Sequence, residues 1–104
     1  MNQEGNFNER CYELLCKIPK GKVTTYKEIA YALGTKAWRA VGTAMARNTN
    51  LVNTPCHRVV RTDGTVGQYA LGTDKKSDLL SSEGVEIFNN KIINLDKYFF
   101  RFNA

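Results

Sequence analysis

The chain has 104 residues, with 15 Lys plus Arg against 10 Asp plus Glu and a net charge of +5, which gives a pI near 9.2. That length is expected to form a single domain, residues 1–104, with one modest core, and the charge favours a polyanionic partner without identifying it. No apolar stretch approaches the ~20 residues that span a bilayer, and residues 1–6 lack the basic and apolar regions of a signal peptide, so a cytoplasmic protein without a membrane partner is expected.

Phe7, Cys11, Leu14, Leu15 and Ile18 recur at helical spacing while Glu9, Arg10, Glu13 and Lys17 fall elsewhere, which predicts a first helix stopped by Pro19 and Gly21. Thr25-Tyr26-Lys27-Glu28 has the capping-box form, with Thr25 as N-cap and Glu28 at N3, and opens a second helix closed by Gly34. Thr35 is expected to cap a third helix, with Ala37, Val41, Ala44 and Met45 as its narrow apolar face and Arg39 projecting elsewhere. Two short helices joined through Gly34 make a helix-turn-helix pattern, a corner that many helical proteins share. Residues 48–54 read as a loop. Val59-Val60 and Val66 flank Thr62-Asp63-Gly64, whose Asp-Gly pair signals a hairpin turn. Leu71, Leu79 and Leu80 suggest a last helix, capped by Thr73 or Asp74 and stopped by Gly84. Beyond it, Ile87, Phe88, Ile92, Ile93 and the run Tyr98 to Phe102 are compatible with strand, short helix or packed tail. The fold class expected is mainly α, a small helical domain with a winged helix-turn-helix-like motif and a short β-hairpin.

Three cysteines, Cys11, Cys16 and Cys56, are an odd number in a chain with no export signal, so free thiols are expected rather than a disulfide framework. The one histidine, His57, leaves no second pair at metal-ligand spacing, and no metal site is expected. Cys11 and Cys16 read as small buried hydrophobes on the first helix.

Cys56 and His57 are adjacent, between Pro55 and Arg58. A thiolate is the reactive form of cysteine, and a neighbouring base or cation lowers the pKa of a thiol from about 8.5. Adjacency alone leaves open a buried cysteine beside a surface histidine. The wider run Thr54-Pro55-Cys56-His57-Arg58-Val59-Val60 resembles the Pro-Cys-His-Arg-Val signature of O6-alkylguanine-DNA alkyltransferases. Gly21-Lys22-Val23-Thr24-Thr25-Tyr26 is similar to that family's entry to its DNA-binding motif, and Ala37-Trp38-Arg39-Ala40-Val41-Gly42 to its Arg-Ala-Val-Gly recognition helix. Asn48, the Gly67-Gln68-Tyr69 turn and Glu83-Gly84 fall at the family's separations from the cysteine, so the resemblance runs from Phe7 to Gly84 and points to the family's C-terminal active-site domain.

The resemblance implies stoichiometric, irreversible transfer of an alkyl group from O6-alkylguanine in DNA to Cys56, without a cofactor. It makes His57 the base that activates the thiol through a water, Glu83 the carboxylate that orients His57, and Asn48 the brace of the cysteine loop. Taken alone, Glu83 reads as a solvated residue near a helix C-terminus, and only its matched position in the resemblance overturns that. The implied partner is double-stranded DNA, bound by a monomer in the minor groove. Arg39 resembles the arginine that fills the gap left by the extruded nucleotide, and Tyr26 the tyrosine that rotates the target phosphate and bonds the flipped base. The small Ala37, Ala40 and Gly42 suit close approach to a narrow groove, and suit helix-on-helix packing equally. In the family, backbone carbonyls at the positions of Cys56 and Val59 and the backbone N–H at the position of Ala70 read guanine. A serine is common at that last position. Tyr69 is implied as a pocket wall, or is an ordinary packing aromatic.

Family members commonly carry an N-terminal domain, which is not seen here, and the aromatic tail from Tyr98 to Phe102 is expected to cover part of the surface it would shield. Two other functions fit parts of the pattern. Alkyltransferase-like proteins share this fold, bind alkylated guanine without repairing it and recruit other repair factors; their reactive cysteine is commonly replaced by tryptophan, and here it is present. A helix-turn-helix regulator without chemistry would dimerise on paired half-sites.

Overall fold

The computed structural model describes residues 6–51 and 53–102. Most of the N-terminal stretch read above for a leader, together with Val52 and residues 103–104, lies outside the described residues.

Helix α1 (Phe7–Leu15) opens on a capping box, in which Glu9 N–H donates to Asn6 Oδ1 at 2.9 Å and Asn6 N–H donates to Glu9 Oε1 at 3.0 Å. It ends earlier than its periodicity suggests, because the amides of Lys17 and Ile18 turn onto the carbonyls of Leu14 and Leu15, each at 3.0 Å. Ile18 is nevertheless fully buried. Cys11 is buried, which pushes its thiol up to about 11. Cys16 is exposed, contrary to expectation, because it falls off the stripe that Phe7, Cys11, Leu15 and Ile18 turn inward. All three cysteines are free thiols.

Strand β1 (Thr24–Thr25) leads straight into α2 (Tyr26–Ala32). Thr25 is the N-cap as expected, its Oγ1 accepting from Glu28 N–H at 3.0 Å, while the Glu28 carboxylate meets Arg101 at 3.7 Å. Gly34, at φ +76°, closes α2. Its N–H bonds to Tyr31 O at 2.9 Å and that of Thr35 to Ala30 O at 3.0 Å, the paired bonds of a Schellman end. Thr35 does not cap α3 as predicted: its Oγ1 accepts the Ala37 N–H at 3.2 Å, ahead of the helix, and α3 (Trp38–Ala46) begins later, with Ala37 as an N-cap that makes no side-chain bond. Val41, Ala44 and Met45 face the core, while Ala37 is exposed. Helices α2 and α3 pack together as the expected helix-turn-helix.

A single 3-10 turn (Cys56–Arg58) runs into β2 (Val59–Val60), which pairs in parallel with β1, Thr24 opposite Val59 and Thr25 opposite Val60. The turn at Thr62-Asp63-Gly64 forms, with Gly64 N–H on Arg61 O at 2.9 Å, but Val66 N–H bonds to Asn90 O instead of extending a hairpin with β2. The antiparallel hairpin lies further on, β3 (Ile87–Phe88) against β4 (Lys91–Ile92), turned through Asn89 and Asn90 at φ +50° and +60°. Between them α4 (Thr73–Ser82) starts after Gly72 and not on a side-chain cap, because the Thr73 hydroxyl donates to Gly67 O at 3.2 Å. A short α5 (Leu95–Tyr98) follows the hairpin. Residues 85–102 thus contain hairpin, helix and packed tail.

Neighbouring side chains of β2 point to opposite sides and serve different cores. Val59 joins Leu15, Ile29, Val41 and Met45 beneath α1 to α3, and Val60 joins Val23, Val66, Leu80 and Ile92 beneath α4 and the hairpin. The tail closes the sheet on its other edge: Val23 bridges Phe99 in parallel, with Val23 N–H on Tyr98 O at 2.9 Å and Phe100 N–H on Val23 O at 2.7 Å. Phe100 and Phe102 meet edge to face and pack on the first core. Among the described residues no helix is long and apolar enough to cross a membrane.

Candidate functional site

The loop after α3 is organised around one carbonyl. Asn48, buried just beyond the helix, donates from Nδ2 to Thr54 O at 2.9 Å, and the Cys56 N–H donates to the same oxygen at 2.8 Å. The Asn48 Oδ1 accepts Asn50 N–H at 2.9 Å. Asn48 therefore fixes the entry to the turn that carries Cys56, with Pro55 restricting the residue between. Cys56 is 5% exposed, yet it lines the floor of an open cleft.

The same turn presents His57 and Arg58 to Glu83. His57 Nε2 lies 2.9 Å from Glu83 Oε2; Arg58 donates from Nη2 to Oε2 at 2.8 Å and from Nε to Oε1 at 3.0 Å, and its Nη1 donates to Ile18 O at 2.8 Å. A carboxylate only accepts, so Nε2 carries the proton and Nδ1 holds the lone pair. Nδ1 is buried and makes no hydrogen bond among the described residues. Burial lowers the His57 pKa below 6.5, outweighing the opposing pull of Glu83, so the ring is neutral at pH 7. For Glu83, burial alone would raise the pKa, but the bonds from Arg58 and His57 hold it below 4.5.

Glu83 reaches this place as the C-cap of α4. The amides of Gly84 and Val85 bond to Ser81 O and Leu80 O, each at 3.0 Å, and Gly84 takes φ +97°. Val85 and Leu80 bury together behind it. Gly21 packs on the same corner, where a Cβ would come within 3.1 Å of the Glu83 carbonyl.

The cleft in front of Cys56 has a volume of about 770 Å³ and brings together Tyr26, Arg39, Gly42, Tyr69 and Ala70 of the predicted residues. Six of the predicted residues do not line it. His57 and Glu83 border a separate cavity of about 450 Å³ that Tyr69 also borders, and Asn48 is buried behind the cysteine loop. Ala37 and Ala40 lie exposed on the start of α3, and the Val59 side chain is buried in the first core. Lys27, Arg39 and Arg61 line the cleft, and among the described residues no carboxylate does. Tyr69 also stands edge-on to His57, with 6.4 Å between ring centres.

Lys76 was missed by sequence reasoning. It is fully buried, with Nζ 3.3 Å from Tyr26 Oη and 3.1 Å from Gln68 O, and 5.6 Å from the centre of the Tyr26 ring. Burial lowers its pKa to about 7. The same seclusion raises that of Tyr26 above 10. The signal was present: Lys76 lies four residues before Leu80, on the inward face of α4.

Residues 6–85 match the family model described as the DNA binding domain of 6-O-methylguanine DNA methyltransferase. The matched region is thus a DNA-binding domain, and the expected designation as a C-terminal active-site domain is corrected to that. The chain is 48% identical over 93 residues to a bifunctional methyltransferase/endonuclease of Picrophilus torridus, covering 88% of the chain and 30% of the relative. It is 46% identical over 79 residues to a methylated-DNA–protein-cysteine methyltransferase of Methanosarcina barkeri, covering 75% and 50%. The chain spans about half the length, or less, of these two relatives. Among solved structures it is similar to S. pombe Atl1 in complex with damaged DNA containing O6-carboxymethylguanine, with a TM-score of 0.81 and 35% identity over 91% of this chain and 94% of that one.

Proposed function

Because the chain belongs to the 6-O-methylguanine DNA methyltransferase DNA-binding domain family, we propose that it repairs DNA by moving the alkyl group of an O6-alkylguanine onto Cys56. The observation that carries this reading is the Glu83 carboxylate shared between His57 and Arg58, on the same turn whose first residue, Cys56, lines a cationic cleft. Glu83 holds the proton on Nε2 and leaves Nδ1 free to take the Cys56 proton through a water, which gives the thiolate. The sulfur attacks the alkyl carbon, the S–C bond forms as the C–O6 bond breaks, and the electron pair leaves on the purine. Guanine then takes up one proton, matching the one released by the thiol, and hydrogen bonds from Ala70 N–H and Tyr26 ease its departure. The thioether has no easy hydrolytic route back, so each molecule acts once.

O6 inside the stack cannot meet a sulfur on a cleft floor, so the nucleotide must be extruded. Arg39, exposed on the first turn of α3, fills the gap it leaves, and Lys27 and Arg61 meet phosphates of duplex DNA held through its minor groove.

The likeness to Atl1 along nearly the whole of that chain favours a second reading, in which the protein recognises alkylated guanine without repairing it and recruits other repair factors. Intact-mass measurement after incubation with an oligonucleotide containing O6-methylguanine decides between them. Repair adds one methylene to the protein and none to Cys56→Ser. Binding to the lesion with no change in mass establishes the sensor.

A further inference from the structure

Trp38, the chain's one tryptophan, opens α3 immediately before Arg39 and stays 46% exposed. The core does not use it; the inward residues of its helix are Val41, Ala44 and Met45. It stands on the wall of the cleft that ends at Cys56 and also borders a second cavity of about 510 Å³ beneath α2 and α5. The Lys27 ammonium lies 5.8 Å from its ring centre, and no aromatic side chain among the described residues stacks on it.

Glu28 and Asp96 border the second cavity. On the cleft side, a large aromatic face left open beside Lys27 and Arg39, with no carboxylate in the lining among the described residues, matches the chemistry of a nucleobase beside its phosphates. We propose that Trp38 is a base-stacking residue, whose indole lies against the base left unpaired when the damaged nucleotide is extruded. This rests on the repair reading above. The Lys27 ammonium holds the ring in place before DNA arrives, and Arg39, one residue on, occupies the vacated step while Trp38 takes the orphaned base.

Because the tryptophan is unique, its emission reports the contact directly. The protein in a Cys56→Ser background, which keeps the lesion intact, is titrated with a duplex carrying O6-methylguanine opposite cytosine and with the same duplex carrying an abasic spacer opposite the lesion. Stacking predicts quenching with the first duplex and little with the second. Trp38→Ala should weaken binding to the first by roughly 5- to 150-fold, the range of base–aromatic stacking, and leave the second almost unchanged, with Trp38→Phe recovering most of the loss. Thermal melts of the variants confirm that this exposed substitution leaves the fold intact. Equal affinity of Trp38→Ala for the first duplex, or equal losses on both, overturns the proposal. Methyl transfer by the protein that keeps both Trp38 and Cys56 is measured in parallel. Transfer together with an unquenched Trp38 signal in the Cys56→Ser protein rejects the stacking alone, and absence of both lesion binding and transfer rejects the repair reading as well.

Discussion

Glu83 accepts from one imidazole and from two nitrogens of one guanidinium. A carboxamide cannot meet all of these donors. Glu83→Gln is expected to slow alkyl transfer by about 100-fold, the scale of a misplaced general base, in single-turnover mass kinetics. It also strands Arg58, whose remaining side-chain bond is to Ile18 O. The adjacency of Cys56 and His57 was legible in the sequence. The sharing of Glu83 with Arg58 was not, because spacing says nothing of where two loops meet. Lys76 carries a second expectation. The unfolded lysine keeps its proton to pH 10.5, whereas the folded one gives it up above about 7. Between those values the unfolded state binds more protons, so stability rises with pH, by up to about 1.4 kcal/mol per unit. Urea unfolding at pH 7 and pH 9 should show this rise, and Lys76→Met should abolish it.

Helix ends were legible where the capping hydroxyl reaches the first turn and illegible where it is turned elsewhere. The Thr25 hydroxyl caps α2 even as its backbone pairs with Val60, and its role was plain. The Thr35 hydroxyl accepts the Ala37 N–H and the Thr73 hydroxyl is taken by Gly67 O, so neither caps its helix. Gly84 has a single task, to turn the end of α4 so that Glu83 faces the 3-10 turn. Gly84→Ala has room for its methyl group but must hold φ +97°, which costs about 1–2 kcal/mol. Urea denaturation should register that loss, with a slower transfer rate wherever the helix end relaxes instead. Strand pairing was the least legible element. Val59-Val60 has hairpin chemistry on its C-terminal side, yet its partner is Thr24-Thr25, and local pattern carries no information about so distant a match.

Two cores share one thin sheet, and the tail lies along its edge, with Tyr98 in the second core and Phe100 and Phe102 on the first. The expectation that these aromatics are packed was made from their number alone. Removal of residues 97–104 is expected to lower the melting temperature by more than about 10 °C, because several large side chains and two backbone bonds to Val23 go together. An unchanged melt would show that the tail is dispensable. The order of strands also governs how the molecule comes into being. Helices α1 to α3 can form as soon as they are made, but β1 waits for partners around residues 59 and 99. A chain this helical would otherwise collapse in microseconds to milliseconds; its long-range pairing makes the final locking step slow. On the ribosome, the strand that follows the Cys56 turn can pair with β1 as soon as it emerges, while the other edge of β1 stays open until Phe99 has followed, so this edge is the last part of the nascent sheet to be covered.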